Sequence, residues 1–475
     1  MREHLQFYID GAWVNPVELR TLDVINPATE APAGRIAMGG EEDVNRAVAA
    51  ARRAFASYSR TTRADRLDLF SSIIEAYKAR AADIAEAVRL EMGAPKKLAE
   101  TAQTALGLLH LQTARKVLES YEFETQRGKT LIRHEPIGVC GFITPWNWPL
   151  NQLACKIAPA LATGCTMVLK PSEMSPLSAI IWAEVMHTAG VPAGVFNLVN
   201  GDGAGVGAAL SLHPDVDMMS FTGSTRAGIE VARNAAYTVK RVAQELGGKS
   251  PNIILPDADF AKAVTAGTRQ MFSNTGQSCN APSRMLVPIE RMDEAAAIAR
   301  AVAEKVVVGD PAGDADMGPV ISERQWNRIQ SLIGAGLAEG ATLVTGGQGR
   351  PEGLNRGWFV RPTVFSHVTN DMTIAREEIF GPVLSILGYK DVDQAVEIGN
   401  DTVYGLAAYV QGSDHTTIRS VMERLRAGQV IVNGGAGGDM MAPFGGYKQS
   451  GNGREWGDFA FAEFLEVKAA INFTA

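Results

Sequence analysis

The chain has 475 residues, 46% of them hydrophobic, and a formal net charge of -7. At roughly 100–200 residues per domain, that length holds two or three domains with a large packed core. The mild acidity comes without any block of like charge, which argues against nucleic acid and anionic membrane surfaces as partners. Four cysteines and seven histidines, with no C-x-x-C pair and no H-E-x-x-H, argue against a disulfide framework and against any metal site.

The opening stretch, "MREHLQFYIDG", lacks the basic-then-apolar order of a secretory signal. The most apolar run, "IAPALATGCTMVL", is too short to span a bilayer and contains Pro and Gly. Both point to a soluble, cytoplasmic protein. "FYIDGAW" and "DVINPAT" read as short strands that end in turn residues. From about residue 41 to 118, Ala, Leu and Ile recur at helical spacing between Arg and Glu, which predicts two or three long helices.

The rhythm then changes. "IGVCGFI", "TMVLK", "VFNLV" and "DMMSFT" are short β-rich runs, followed by helical segments over 150–162, 176–189, 204–212 and 224–235. Strand alternating with helix predicts parallel βαβ units, hence an α/β fold with a doubly wound sheet whose active groups gather at the carboxyl ends of the strands. A second alternating region runs from about 252 to 440, through "PNIIL", "SRMLV", "PVLSIL", "AAYV" and "QVIVN". Gly247-Gly248-Lys249 marks the boundary between the two. The tail, "FLEVKAAINF", reads as a strand that needs a partner elsewhere.

Cys140, Cys155 and Cys165 sit in apolar runs, as buried free cysteines usually do. Cys279 sits instead in "FSNTGQSCNAPSR", among Gly, Gln, Ser and Asn, with Gly276 suggesting a turn just before it. A thiol in such a place can carry a lowered pKa and act as a nucleophile, although most free cysteines are structural. No histidine lies near it in sequence. Glu245, in "QELGGKSPN", ends an apolar run and meets two glycines. It is either a surface carboxylate at the end of an element or a base that activates water. In "TPWNWPL" the amide of Asn147 could donate to a developing oxyanion, or the segment could be an apolar plug. Lys170 and Glu173, in "VLKPSE", could contact ribose hydroxyls or be solvated loop charges. "FTGSTRAG" ends a strand, turns at Gly223 and caps a helix with Ser224, which suits a pyrophosphate. "GAGVGA" matches the dinucleotide fingerprint, but in a chain with 48 glycines that match is weaker than "FTGST".

With these residues in view, the chain resembles the NAD(P)-dependent aldehyde dehydrogenases. The likeness runs from about residue 7 to 470. It rests on "PWNWPL", "LKPSE", "FTGST", "ELGGKSPNI", "GQSC", "EEIFGPV" and "PFGGYKQSGNGRE", seven separated motifs in the family's order. The resemblance implies that Cys279 is the catalytic thiol, Glu245 the general base and Asn147 the oxyanion donor together with the Cys279 N–H. It implies that Lys156 and Glu455 relay a proton from Glu245. Lys170 and Glu173 would hold the adenosine ribose, Gly203 would lie beside the adenine, and Gly223 and Ser224 would lie under the pyrophosphate. Glu378 and Phe380 would position the nicotinamide ribose and ring. Ile143, Thr144, Trp146, Phe221, Leu246 and Gly247 would complete the cofactor site. The implied cofactor is NAD, favoured over NADP because the Glu173 carboxylate repels a 2′-phosphate.

The implied reaction oxidises a small-molecule aldehyde to its acid through a thiohemiacetal and a thioester on Cys279, hydrolysed by water that Glu245 activates. A CoA-acylating relative and a non-catalytic NAD-binding relative are the alternatives. The former typically lacks the carboxylate that Glu245 matches. The expected organisation is an NAD-binding domain over 1–116 and 137–247, a catalytic domain over 248–447, and an oligomerisation flap over 117–136 with the C-terminal strand in 448–475. In this family the flap joins subunits, so a homodimer or homotetramer is expected. Asn280 and Trp148 depart from common family residues, and both are expected to touch the substrate tunnel.

Overall fold

The computed structural model describes residues 2–434 and 439–473. The expected divisions also include residues 1, 435–438 and 474–475, which lie outside the described residues. The architecture is α/β, built on two large, mostly parallel sheets.

The first sheet has eight strands in the order Gly451–Asn452, Arg241–Glu245, Met218–Thr222, Val139–Ile143, Thr166–Lys170, Phe196–Leu198, Phe7–Ile9 and Ala12–Val14. The strands from Arg241–Glu245 through Phe196–Leu198 run parallel, and antiparallel pairs close both edges. Val139–Ile143, Thr166–Lys170 and Met218–Thr222 are buried at every position. That is why they read as continuous apolar runs: helices cover both faces of a parallel sheet. The Pro149–Thr163 helix, buried along its whole length, packs beside them. Its first residue is proline, whose fixed φ suits a first turn, and Gly164 ends it with φ 91°.

The second sheet has seven strands in the order Thr342–Thr345, Thr363–Ser366, Val383–Tyr389, Arg284–Pro288, Pro251–Ile254, Ala407–Gln411 and Gln429–Val432. Only the Thr342–Thr345 strand is antiparallel to its neighbour. The C-terminal strand Leu465–Ile471 pairs antiparallel with Thr130–Pro136, which pairs in turn with Glu124–Arg127. A further three-stranded sheet joins Arg2–His4, Ala31–Met38 and Arg20–Asn26.

The helical N-terminal region differs from the expectation of two or three long helices. Four long helices occupy it: Glu41–Tyr58, Arg63–Ala79, Ala81–Met92 and Thr104–Ser120. The second and third are separated by Arg80 alone, at φ -107° and ψ 6°. No Gly or Pro marks that break, so periodicity runs straight across it. The third helix ends at Gly93, with φ 74°, where a Cβ would meet the Pro319 ring at 2.6 Å. The chain then enters the fourth helix through a π-turn, Ala99–Gln103. The expected helix over 204–212 likewise opens with a π-turn, Gly203–Gly207, capped by the Asp202 side chain, before Ala208–Leu212.

Candidate active site

Parallel strands deliver their last residues to one edge, and Ile143, Lys170, Thr222 and Glu245 are all last residues. Glu245 lies in register between Thr222 on one neighbour and Gly451 on the other. It is 3% exposed, and neither carboxylate oxygen has a hydrogen-bond partner. Space for it depends on Gly445, where a Cβ would stand 2.9 Å from Glu245 Oε1. Burial pushes this carboxyl well above the usual carboxylate range; Glu455 adds to the rise, while Lys156 and Arg454 oppose it.

Next to it is an ionic cluster. The Lys156 ammonium, on the Pro149–Thr163 helix, donates to Thr222 Oγ1 at 2.7 Å and forms an ion pair with Glu455. The Cys155 thiol donates to the second Glu455 oxygen at 3.2 Å. Burial works to lower the Lys156 pKa, but Glu455 and Cys155 outweigh it and the net direction is up. Lys156 and Glu455 are therefore together as the sequence suggests. Glu245 is near enough to feel both charges, yet hydrogen-bonded to neither.

The segment that bears Cys279 is sharply turned. Asn274 and Thr275 have left-handed φ values of 52° and 58°, and Gly276 follows at 68°. A Cβ at Gly276 would stand 2.3 Å from the Gly381 carbonyl, and one at Gly248 would stand 2.2 Å from the Cys279 carbonyl. Glycine is thus required where the loop meets the segments that carry Glu378 and Glu245. Cys279 is half-buried, whereas the other three cysteines are buried. The expected lowering of its pKa is not found. Burial pushes the thiol up, and the Glu378 and Glu245 charges push it further. Polar neighbours in sequence did not mean a cationic neighbourhood in space.

Asn147 is 3% exposed and its amide donates to the Gln277 carbonyl at 2.9 Å. An amide has two N–H donors, and this bond uses one of them. The Trp148 indole donates to Ser278 Oγ at 2.8 Å, and the Asn280 carbonyl accepts from the Tyr409 hydroxyl at 2.9 Å. Phe444 stacks on Trp456 at 4.9 Å between ring centres, and His110 meets Trp456 edge-on at 5.6 Å. Burial holds His110 down at about 4, so it stays neutral.

On the opposite side, Thr144 N donates to the Lys170 carbonyl at 3.2 Å, just past Ile143. Lys170 Nζ donates to the Pro171 carbonyl at 2.9 Å and to Glu173 at 3.1 Å. A Cβ at Gly223 would stand 2.6 Å from the Phe221 ring, and Gly223 N donates to the Glu245 carbonyl at 3.0 Å. Ser224 caps the Thr225–Ala236 helix by accepting from Ala227 N at 3.4 Å. Leu246 fills the space beside Gly228. Gly203 opens its π-turn with nothing within 4 Å of a Cβ position. Trp146 meets Phe380 edge-on at 5.4 Å, and Gln325 holds Phe380, at φ 57°, through its carbonyl at 2.9 Å. Glu378 accepts from Gly248 N at 2.9 Å, while a Cβ at Gly247 would stand 2.5 Å from its other oxygen. Burial pushes Glu378 up to about 7, although the Gly248 N–H, Lys249 and Arg328 pull the other way.

A dinucleotide fits this donor set. Lys170 and Glu173 offer a donor and an acceptor for one ribose, the capped helix start offers N–H groups to a pyrophosphate, and Glu378 offers a carboxylate to the second ribose. Sequence reasoning missed Gln103, Thr222, Cys155, Asn274 and Gln277. The last two lie inside the conspicuous "FSNTGQSC" stretch and Thr222 inside "FTGST"; Gln103 and Cys155 carry no local signal.

The comparisons with known proteins identify the family. The chain matches the aldehyde dehydrogenase family over residues 13–470 and belongs to that family. It is an NAD-dependent oxidoreductase that oxidises an aldehyde to the carboxylic acid. A 3-succinoylsemialdehyde-pyridine dehydrogenase from a Pseudomonas species is 55% identical, with 100% of this chain and 99% of the relative covered. Aldehyde dehydrogenase C of Pseudomonas syringae, solved as a variant with NAD+ and octanal, is 54% identical at a TM-score of 0.98, with 99% of this chain and 97% of that one covered. The aldehyde dehydrogenase of Bartonella henselae is 47% identical at a TM-score of 0.98, with 100% of both chains covered. Among the described residues, no helix is long and apolar enough to cross a membrane.

Proposed function

We propose that Cys279, Asn147 and Glu245 carry out the aldehyde oxidation, with Lys156 and Glu455 managing the proton that Glu245 takes up. The observation that carries this reading is Glu245 itself: a buried carboxyl with two unpartnered oxygens, on the strand whose following glycine touches the Cys279 backbone. A buried acceptor without a partner is costly, so its persistence at a strand end needs a use.

The Cys279 thiol, which burial keeps protonated, gives its proton to water, and the thiolate so formed adds to the aldehyde carbonyl and makes a thiohemiacetal. Asn147 Nδ2 donates to the new oxyanion; one such donor is worth about 10²–10³ in rate. NAD, held with its nicotinamide against Glu378 and Phe380, would supply the hydride acceptor; Cys279 holds the substrate carbon that gives up the hydride and afterwards carries the acyl group as a thioester. Glu245 then takes a proton from water, the hydroxide adds to the thioester, and the acid leaves as the Cys279 thiolate returns. The raised pKa makes Glu245 a stronger base than a free carboxylate, which suits this step. Lys170, Glu173, Gly203, Phe221, Gly223 and Ser224 hold the adenosine and pyrophosphate side. Ile143, Thr144, Trp146, Leu246, Gly247, Glu378 and Phe380 enclose the nicotinamide side.

The substrate is an aldehyde with an apolar or aromatic body. The Phe444–Trp456–His110 wall beside Glu455 supports this, as do the octanal bound to the Pseudomonas syringae relative and the pyridine named in the 55%-identical one. The domain division expected from the sequence, a cytoplasmic location, and a homodimer or homotetramer joined through the flap complete the proposal. Val467 and Ile471, on the C-terminal strand at the edge of that sheet, are 66% and 74% exposed, which supports a covering subunit.

Cys279→Ala should abolish NADH formation from octanal while NAD still quenches tryptophan fluorescence. A variant that keeps most of its turnover would refute the assignment of the nucleophile.

A further inference from the structure

Gln103 is fully buried, with 0% exposure, at the last residue of the Ala99–Gln103 π-turn. Inserted turns of this kind re-aim a side chain that a regular helix would point elsewhere, and they recur at functional sites. Here the side chain leaves the helical region and reaches two segments of the active site. Gln103 Nε2 donates to the Asn147 backbone carbonyl at 3.1 Å and to Asn274 Oδ1 at 3.2 Å, with the Met92 sulfur at 3.5 Å. Asn274 Nδ2 donates to the same Asn147 carbonyl at 2.9 Å and to the Gln277 carbonyl at 3.2 Å. The Gln277 carbonyl also receives the Asn147 side-chain amide, at 2.9 Å. Gln277 Oε1 accepts from Ile321 N at 3.0 Å, which anchors the far end.

The chemistry fixes every amide orientation in this network. Carbonyl oxygens can only accept, so the nitrogens of Gln103, Asn274 and Asn147 must face them. Flipping Gln103 would set its oxygen against the Asn147 carbonyl and Asn274 Oδ1, both acceptors. The cost of the arrangement is visible: Gln103 Oε1 is buried without a partner. Asn274, at φ 52°, is held in a left-handed conformation that asparagine tolerates but does not prefer. A strained backbone and an orphaned oxygen persist when the surrounding contacts over-determine them.

We propose that Gln103 is a positioning residue for the oxyanion site: through the Asn147 carbonyl and Asn274 it fixes the free Asn147 N–H relative to the loop that bears Cys279. It touches neither substrate nor cofactor. The proposal rests on the reading of Asn147 as the oxyanion donor. Because the network is neutral, its effect on rate is independent of pH.

The test is a double-mutant cycle on the hydride-transfer step, measured by rapid mixing with octanal and its 1-deuterio form. Asn147→Ala should slow that step by about 10²–10³. Gln103→Met, which keeps volume and removes the amide, should slow it by about tenfold, a fraction of the whole donor's worth. It should expose a primary deuterium isotope effect on kcat and leave NAD binding and the pH profile unchanged. In the Asn147→Ala background the same change should cost less than about twofold, because neighbours that act through one group do not add. Gln103→Leu, which also lacks the amide and carries no titrating group, gives the same readings if the Met variant fails to fold. An unchanged hydride step in Gln103→Met, or a full tenfold loss in the Asn147→Ala background, overturns the proposal. An Asn147→Ala variant with a normal hydride step overturns the oxyanion reading instead.

Discussion

Two polar networks flank Cys279, and they are built in opposite ways. One is neutral: Gln103, Asn147, Asn274 and Gln277, joined by amide N–H to carbonyl bonds. The other is ionic: Lys156, Glu455, Thr222 and Cys155, with Glu245 electrostatically coupled to it. The neutral network contains no titrating group, so it holds one geometry at every working pH. The ionic one is made of titrating groups whose charges set one another's proton affinity. The difference separates two tasks within one cleft. An oxyanion donor has to be preorganised before charge develops. A base has to change its protonation state in every cycle, so it cannot be tied down by hydrogen bonds, and the Glu245 oxygens are free of them.

The comparison breaks most visibly at Lys156. Replacing it with Met leaves Glu455 as a buried carboxylate without its cation. Removing one partner of a buried pair typically costs about 3–5 kcal/mol, and urea unfolding should show a loss of that size. The same variant tests the ionic network in solution. Lys156 lowers the Glu245 pKa, so its removal raises that pKa further. Glu245 must be ionised to accept a proton from water. The pH dependence of thioester hydrolysis should therefore shift to higher pH in Lys156→Met. An unshifted profile would mean that the two groups are not coupled.

A smaller effect should appear on the cofactor side. Burial pushes Glu378 up to about 7, and its ionised form is the better acceptor for ribose hydroxyls. NAD affinity should rise by about tenfold between pH 6 and pH 8 as that carboxyl ionises, and Glu378→Gln should flatten the dependence. Isothermal titration with NAD at several pH values checks both.

Much of this molecule was legible in its sequence, for identifiable reasons. The strands that end at Ile143, Lys170 and Thr222 are buried at every position, so they read as apolar runs, and their last residues mark the site edge. Cys279 stood out because its neighbours are polar, and those neighbours, Asn274 and Gln277, prove to be network members. Gly276 was readable as a turn because only glycine clears the Gly381 carbonyl there. What was illegible depends on contacts far apart in the chain. Gln103 looks like any polar residue in an Ala-rich helix, and its partner Asn274 lies 171 positions away. Cys155 looks apolar by context and yet bonds Glu455, 300 positions on. The raised Cys279 pKa could not be read either, since Glu378 and Glu245 reach it only through the fold. The break at Arg80 was hidden because no Gly or Pro produces it.

Rapid mixing of Glu245→Gln with NAD and octanal tests most directly whether Glu245 activates water. The variant should release a burst of NADH near one equivalent per site at the native rate, followed by a steady state slower by about 10²–10⁴, the usual worth of a general base. A missing burst, or a steady state equal to the native one, would contradict that role.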